Sequence, residues 1–163
     1  MTRPIILAYD GSDDAKHALT TAGTLLRGRA IVVHVYASPE THAAAPTLGA
    51  GLTLPIDPML MENPAVIEEL DDRARERAVI VVQEGVELAR AAGFEPEPEL
   101  IAGDGVQGVW SAIAALADAR DASVIVVGHR DVSWLAGALR GSVGTDLVKH
   151  VSRPVLVIPA PPE

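Results

Sequence analysis

The sequence contains no cysteine, so disulfide bonds and thiolate metal sites are excluded. Aromatic residues make up only 3% of the chain, whereas hydrophobic residues make up 48%. The core must therefore be built from aliphatic side chains, and such a core suits helices packed on a buried parallel sheet. Charged residues, at 21%, are too few for a globally disordered chain.

A concentration of positive charge is also lacking. The formal net charge is −9, which argues against a nucleic-acid partner and against binding to an anionic membrane surface. No apolar run approaches the roughly 18–20 residues that a transmembrane helix needs. The first residues enter a strand-like run, and they show no cationic segment followed by an apolar stretch of the length found in signal peptides. We therefore expect a cytoplasmic protein.

Apolar runs and helical patterns alternate along the chain, which predicts a parallel sheet with right-handed crossovers in a single domain, residues 1–163. The expected strands are Pro4–Tyr9, Ile31–Tyr36, Glu97–Ala102, Ser123–Val127 and Pro154–Ile158. The first expected helix follows Ser12. Three further helices are expected at about Glu68–Ala92, Val106–Arg120 and Ser142–His150.

Several single residues indicate where these elements begin and end. Ser12 is expected to cap the first helix, and Gly93 to end the second in a left-handed conformation. Pro96 and Pro98 restrict the third strand to a sheet edge or its entrance. The proline-rich segment 37–67 has no periodicity and is expected to form a long flap within the domain.

Ligands of an open parallel sheet bind beyond the carboxyl ends of the strands, where the strand order reverses. The loops in question are 9–12 after the first strand and 128–131 after the fourth. The segment Gly141-Ser142-Val143-Gly144-Thr145 opens the last helix, where free backbone amides and small residues favour an anion. Arg130 and Arg140 bracket this segment. The alternative is an ordinary serine-capped helix that follows a glycine turn.

Two stretches resemble the universal stress protein family. The end of the chain, VIVVGHRDVSWLAGALRGSVGTDLVKHVSRPVLVIP, is similar to its nucleotide-binding signature G-x2-G-x9-G-[ST], with Gly128 and Gly141-Ser142 at the matching positions. The opening ILAYDGSDDAKHAL resembles the first strand, aspartate and helix of the family. The resemblance implies an α/β, doubly wound five-stranded parallel sheet of order 3-2-1-4-5 with helices on both faces, of the adenine nucleotide alpha hydrolase-like type.

The same resemblance implies ATP or AMP at the strand tips, with or without Mg²⁺, and a role in sensing or regulation during stress. It places Asp10 near the nucleoside, the backbone of Val35 near the base, and Gly128, Gly141, Ser142 and Val143 around ribose and phosphates. The full candidate set is Ala8, Tyr9, Asp10, Val35, Gly128, Arg130, Asp131, Arg140, Gly141, Ser142, Val143 and Gly144. The resemblance also implies a homodimer that pairs through the last strand, Val155–Ile158.

Asp131 departs from the signature, since it replaces the second glycine. A carboxylate about 5 Å from a phosphate charge costs about 3 kcal/mol at an effective dielectric near 20. Arg130, Arg140 or a bridging Mg²⁺ could offset that cost, or the side chain could point to solvent.

Other interpretations stay open. Asp10 could simply end a strand and cap a turn, and His34 is expected to be a hydrogen-bonded interior residue. The fold could serve as a dimeric interaction module that binds no nucleotide, or as a phosphoreceiver-like signalling domain, although the lysine expected after the fifth strand is missing. No residue stands out as a general base, so the sequence does not predict a dedicated enzyme, though slow ATP hydrolysis is compatible with it.

Overall fold

A computed structural model describes residues 3–38, 47–48, 52–53, 63–103, 105–128 and 151–159. In chain order the elements are β1 (Ile5–Ala8), α1 (Asp13–Leu25), β2 (Gly28–Ala37), β3 (Thr47–Leu48), β4 (Leu52–Thr53), α2 (Pro64–Ala91), β5 (Phe94–Gly103), α3 (Gly105–Ala119), β6 (Val124–Gly128) and β7 (Val155–Ile158). The helix expected at Ser142–His150 lies outside the described residues.

Five strands form one parallel sheet in the order β5-β2-β1-β6-β7. Without the short pair β3 and β4, this order is 3-2-1-4-5, so the predicted topology is confirmed. In the centre of the sheet, Leu7 of β1 is in register with Val32 of β2 and Val126 of β6. The strand order reverses between β1 and β6, which places the switch point at their carboxyl ends.

Aliphatic side chains fill both faces of the sheet. One face packs against α1 and α2, through buried residues that include Leu19, Val32 and Val82. The other face packs against α3, through residues that include Ile31, Ile113 and Ile125. The helices α1 and α2, which lead from β1 to β2 and from β2 to β5, therefore lie on one face of the sheet. Helix α3, which leads back from β5 to β6, lies on the other face, as right-handed connections require.

The first helix begins as its sequence predicts. Ser12 has extended backbone, and its Oγ accepts a hydrogen bond from the amide of Ala15 at 3.2 Å. Asp13 and Asp14 follow in the first turn, where the positive end of the helix dipole favours them. The second helix ends at Gly93, whose φ of +92° is the expected left-handed conformation.

The start of α2 corrects the expected boundary at Glu68. The helix begins at Pro64, because the side chain of Asn63 accepts a hydrogen bond from the amide of Ala65 at 3.1 Å and so caps it. Proline is tolerated in the first helical turn, where its missing N–H needs no partner. Pro64 is therefore a helix-start residue, whereas the sequence analysis assigned it to the flap.

Within the expected flap, β3 and β4 form a short antiparallel pair, with Thr47 opposite Thr53. The segments 39–46, 49–51 and 54–62 lie outside the described residues. At the start of the flap, the buried hydroxyl of Ser38 donates a hydrogen bond to Asp71 of α2. A functional role for the flap stays a prediction.

The two edges of the sheet differ in chemistry. In β5, Pro96 lies opposite Ala30 and Pro98 opposite Val32. Parallel pairing gives both prolines the positions whose amides would point away from β2, so the predicted edge location is confirmed. In the pairing of β6 with β7, the amide of Ile125 donates to the Pro154 carbonyl at 2.9 Å, so the main-chain groups of Ile125 point toward β7. The residues opposite Ile125 and Val127, which are Val155 and Val157, therefore have amides that point away from β6.

Ionic contacts concentrate at the amino-terminal end of the sheet. Arg153, just before β7, contacts Asp118 at 3.1 Å and Asp121 at 2.6 Å. Arg3, before β1, contacts the same Asp121 at 2.8 Å. These residues form a cluster, called here the basal clasp (Arg3, Asp118, Asp121, Arg153), that ties β7 to the end of α3 and to the start of β1.

Candidate functional site

The carboxyl ends of β1, β2 and β6 meet at the switch point. Five of the candidate residues belong to the described part of the chain: Ala8, Tyr9, Asp10, Val35 and Gly128. The other seven, Arg130, Asp131, Arg140, Gly141, Ser142, Val143 and Gly144, lie outside the described residues. The structure therefore describes the surroundings of these five residues, and the binding role of all twelve stays a prediction.

Tyr9 contributes its backbone to the tip of β1, while its side chain lies in the core. The residue is only 3% exposed, and its ring packs so closely on α2 that a Cβ on Gly85 would lie 2.7 Å from Tyr9 Cδ1. The amide of Tyr9 donates to the Val33 carbonyl at 2.9 Å, which extends pairing with β2 one residue beyond the strand. The side chain of Tyr9 is therefore a packing group, and only its main chain can serve the site.

A small polar cluster surrounds the Tyr9 hydroxyl between α1 and α2. The hydroxyl is buried and has no partner in hydrogen-bonding geometry among the described residues. Lys16 of α1 and Glu84 of α2 form an ion pair of 2.9 Å nearby. Burial first, and the Glu84 carboxylate second, raise the pKa of Tyr9 far above its ordinary value of 10.0. Tyr9 therefore stays neutral at any physiological pH.

Asp10 is exposed at the end of β1, and its carboxylate has a fixed direction. Its Oδ1 accepts a hydrogen bond from the amide of Ser12 at 2.9 Å, which closes a tight turn. Gly11, in the middle of this turn, has a φ of +82°, which a residue with a side chain rarely adopts. Asp10 therefore caps this turn, as one interpretation of the sequence expected, and the same bond fixes the direction of the exposed carboxylate; a contact with a ligand stays a prediction.

Gly128 ends β6 against the first turn of α1. A Cβ at this position would lie 3.0 Å from the carbonyl oxygen of Asp14 and 3.1 Å from its carbonyl carbon. Helix backbone cannot yield as a flexible side chain can, so any larger residue would push α1 away from the sheet. The glycine that matches the first position of the signature therefore has a packing role at the switch point in addition to any contact with a ligand.

His34 adds a contact whose partner the sequence alone does not reveal. Its Nδ1 lies 2.8 Å from the carbonyl oxygen of Tyr9. Burial lowers the pKa of His34 below its ordinary value of 6.5, although this bond and the Asp10 charge oppose the shift. A carbonyl can only accept, so Nδ1 carries the proton. The expectation of a hydrogen-bonded interior histidine is confirmed, but only the pairing of β1 with β2 identifies its partner.

Among the described residues, no group of three or more His, Asp or Glu side chains is arranged to hold a metal ion. None of the described helices is long and apolar enough to cross a membrane.

Comparison with solved structures defines the class of the fold. A universal stress protein in complex with cAMP has a TM-score of 0.60 and 22% identity, with 96% of this chain and 95% of that chain covered. The universal stress protein from Archaeoglobus fulgidus in complex with dAMP has a TM-score of 0.56 and 23% identity, with 96% and 98% covered. At these identities the likeness shows the fold alone, the doubly wound parallel sheet with strand order 3-2-1-4-5.

The sequence comparisons give the family. The model of the universal stress protein family matches residues 1–159, and this chain belongs to that family. The stress response protein NhaX of Bacillus subtilis is 28% identical over 170 aligned positions, which cover 94% of this chain and 96% of NhaX. Universal stress protein Rv1996 of Mycobacterium tuberculosis is 34% identical over 83 residues, which are 50% of this chain but only 26% of Rv1996. The matched segment thus spans about a quarter of that longer relative.

Proposed function

We propose that this chain binds an adenine nucleotide at the carboxyl ends of β1 and β6, as a regulatory module of the stress response. One observation carries the proposal. At the switch point, an exposed carboxylate at Asp10 is held by the amide of Ser12, beside a glycine, Gly128, that brings the β6 backbone against the start of α1. A carboxylate held in a fixed direction at the switch point is an acceptor suited to the hydroxyl groups of a ribose.

Proteins of the same fold support the choice of ligand. Two solved universal stress proteins are complexes with cAMP and with dAMP, respectively. Both ligands contain adenine and a phosphate. In this chain, we assign the ribose to Asp10 and the base to the backbone of Val35.

The phosphate half of the proposal rests on the sequence. Gly141, Ser142, Val143 and Gly144 would offer backbone amides at a helix start, with Arg130 and Arg140 as cations. Asp131 would oppose phosphate binding unless a cation bridges it, so Mg²⁺ belongs to the proposal. ATP and AMP differ in how strongly they would depend on this half.

Thermal unfolding of the full chain with ATP, AMP and GTP tests the proposal. A ligand of the native state raises Tm, and at 100 times its Kd it stabilises the fold by about 2.7 kcal/mol. We expect a rise with ATP or AMP, and a smaller rise or none with GTP. An unchanged Tm with each adenine nucleotide, with and without Mg²⁺, would refute nucleotide binding.

Asp131→Gly distinguishes the two halves of the site. We expect this variant to bind ATP more tightly than the parent protein in the absence of Mg²⁺. The increase in ATP affinity that Mg²⁺ causes should be smaller in the variant than in the parent protein. An equal affinity of the variant and the parent protein under both conditions would show that Asp131 does not face the phosphates.

Self-association through β7 is a second proposal, and it favours an interaction role if no nucleotide binds. The outward positions of β7 are Val155 and Val157, whose amides point away from β6 and have no backbone partner in the part of the chain that the structure describes, and Val157 is 40% exposed. The outward positions of β5 carry Pro96 and Pro98, which have no amide hydrogen to donate. We therefore place the homodimer contact on β7.

Val157→Pro tests this contact without removing a bond to β6. We expect it to convert dimer to monomer in sedimentation, while Val157→Thr, which keeps the amide, remains dimeric. A parent protein that is monomeric at micromolar concentration would contradict the contact.

A cytoplasmic location belongs to the same set of proposals, and cell fractionation tests it.

A further inference from the structure

We propose that the His34 side chain ends the β1–β2 ladder one hydrogen bond early and thereby keeps the backbone of Val35 available to the base of a bound adenine nucleotide. The inference rests on the proposed function for the identity of the ligand. The local geometry, however, stands on contacts among described residues alone.

The argument begins with the alternation of a parallel strand. The Val33 carbonyl accepts the amide of Tyr9 at 2.9 Å, so the main-chain groups of Val33 point toward β1. Main-chain groups two residues apart point to the same side of a strand, so the N–H and C=O of Val35 also point toward β1. In a regular parallel ladder, the next hydrogen bond would join the amide of Val35 to the carbonyl of Tyr9.

That bond is replaced by one from a side chain. Among the backbone hydrogen bonds of the described residues, the β1–β2 pairing ends with Tyr9 and Val33. The Tyr9 carbonyl instead faces Nδ1 of His34 at 2.8 Å. His34 sits two residues beyond Val32, whose side chain belongs to the core beneath α1 and α2, so the imidazole approaches this carbonyl from that face of the sheet.

The consequence is a donor and an acceptor side by side at the switch point. Val35 is partly buried against the core beneath α3, which holds its main chain in place. On its Watson–Crick edge adenine carries an amino donor next to a ring-nitrogen acceptor, whereas guanine carries a carbonyl acceptor next to a ring N–H donor. The main chain of Val35, which has no backbone partner on β1 among the described residues, therefore matches adenine and disfavours guanine. His34 acts here as a positioning residue, since it touches Tyr9 and not the ligand.

Amide hydrogen exchange measured by NMR on the full chain tests this assignment. In the parent protein, we expect the Val35 amide to exchange at least about tenfold faster than the Val33 amide, because only the latter is paired. In His34→Leu the Tyr9 carbonyl loses its donor, so it should pair with Val35 and slow the exchange of that amide by about tenfold or more. Equal protection of Val33 and Val35 in the parent protein would overturn the assignment.

Nucleotide affinity is the second measurement. His34→Leu should weaken ATP or AMP binding by about tenfold, because the Tyr9 carbonyl would then occupy the Val35 amide and the base would lose that hydrogen bond. His34→Gln, whose side-chain amide can donate to the same carbonyl, should retain most of the affinity. His17→Leu is the matched control, because the His17 ring is 3.4 Å from the Thr21 hydroxyl on its own helix, away from the β1 tip. Equal losses in the Leu and Gln variants would contradict the positioning role.

The role of His34 can be tested even if nucleotide binding or the folding of the variant fails. If the parent protein binds no nucleotide, the proposed function fails, while the exchange of Val35 still decides the role of His34. If His34→Leu does not fold, the nitrogen NMR signals of His34 in the parent protein decide it. A proton on Nδ1 at neutral pH supports the assignment, and a proton on Nε2 alone overturns it.

Discussion

The two ends of the sheet are held together by different chemistry. At the amino-terminal end, the basal clasp joins two arginines to two aspartates, with contacts of 2.6 to 3.1 Å. At the carboxyl-terminal end, two contacts at the strand tips are hydrogen bonds that involve backbone: His34 to the Tyr9 carbonyl, and the Ser12 amide to Asp10. There the charge of Asp10 is exposed and has no cationic partner among the described ion pairs. The charges of the clasp pair with one another, whereas the Asp10 charge is the one that we propose for a ligand.

This difference separates stability from binding. Residues of the basal clasp should affect unfolding and leave nucleotide affinity unchanged. Residues of the strand tips should affect affinity, and affect stability only where they also pack. The following experiments test that separation, from the largest expected effect to the smallest.

Gly128→Val should have the largest effect, because Gly128 combines both roles. Its new Cβ would lie 3.0 Å from the Asp14 carbonyl, and overpacking of this kind costs about 1–3 kcal/mol of stability. The displaced start of α1 should also abolish nucleotide binding. Gly128→Ala should show the same changes to a smaller extent. A stable variant with unchanged affinity would show that the approach of β6 to α1 does not shape the site.

Asp10→Asn should lower affinity without lowering stability. Asparagine keeps an oxygen that can accept the Ser12 amide, so the turn should persist. A hydrogen bond to a charged group contributes about 1.5–3 kcal/mol, so we expect a loss of about 10- to 100-fold in ATP or AMP affinity. Calorimetric titration measures it. An unchanged affinity would remove Asp10 from the binding residues.

The dependence of stability on pH should differ between the two ends. Burial lowers the pKa of His34, so the unfolded state binds more protons there, and the free energy of unfolding should fall as pH drops below about 6.5. Arg153 lowers the pKa of Asp118 and Asp121 from 3.8, so their contribution is present above that value and is lost as pH falls below it. Urea unfolding against pH should show the upper step disappear in His34→Gln and the lower step shrink in Asp121→Asn. The opposite assignment of the two steps would contradict this account.

Arg153→Ala should leave nucleotide affinity unchanged. Removal of the guanidinium leaves Asp118 and Asp121 without their shared partner, so Tm should fall. Arg73→Ala is the control, because its ion pair with Glu69 is exposed on both sides and lies within one helix. A change of nucleotide affinity in Arg153→Ala would show that the two ends of the sheet are coupled.

Much of the fold could be predicted from sequence, because its signals are local. Alternating apolar runs and helical patterns predicted the succession of strands and helices, and the family resemblance implied the strand order. Ser12 and Gly93 marked helix ends through their own backbone chemistry. The start of α2 was misplaced, because a proline in the first turn reads as a helix breaker until its cap, Asn63, is recognised.

The site was less predictable, because its contacts join residues distant in sequence. Tyr9 follows a strand whose tip was expected to face a ligand, yet its ring fills the space opposite Gly85. The bond from His34 to Tyr9 depends on the register of two strands. Gly128 was selected through a signature for phosphate binding, while its packing against Asp14 requires the three-dimensional arrangement.

Native mass spectrometry of the full chain, mixed separately with ATP, AMP and GTP, tests the central claim most directly. We predict one adenine nucleotide bound per chain, at a higher occupancy than GTP under the same conditions. A chain that stays unliganded with millimolar ATP and AMP, with and without Mg²⁺, would contradict the claim that its strand tips form an adenine-nucleotide site.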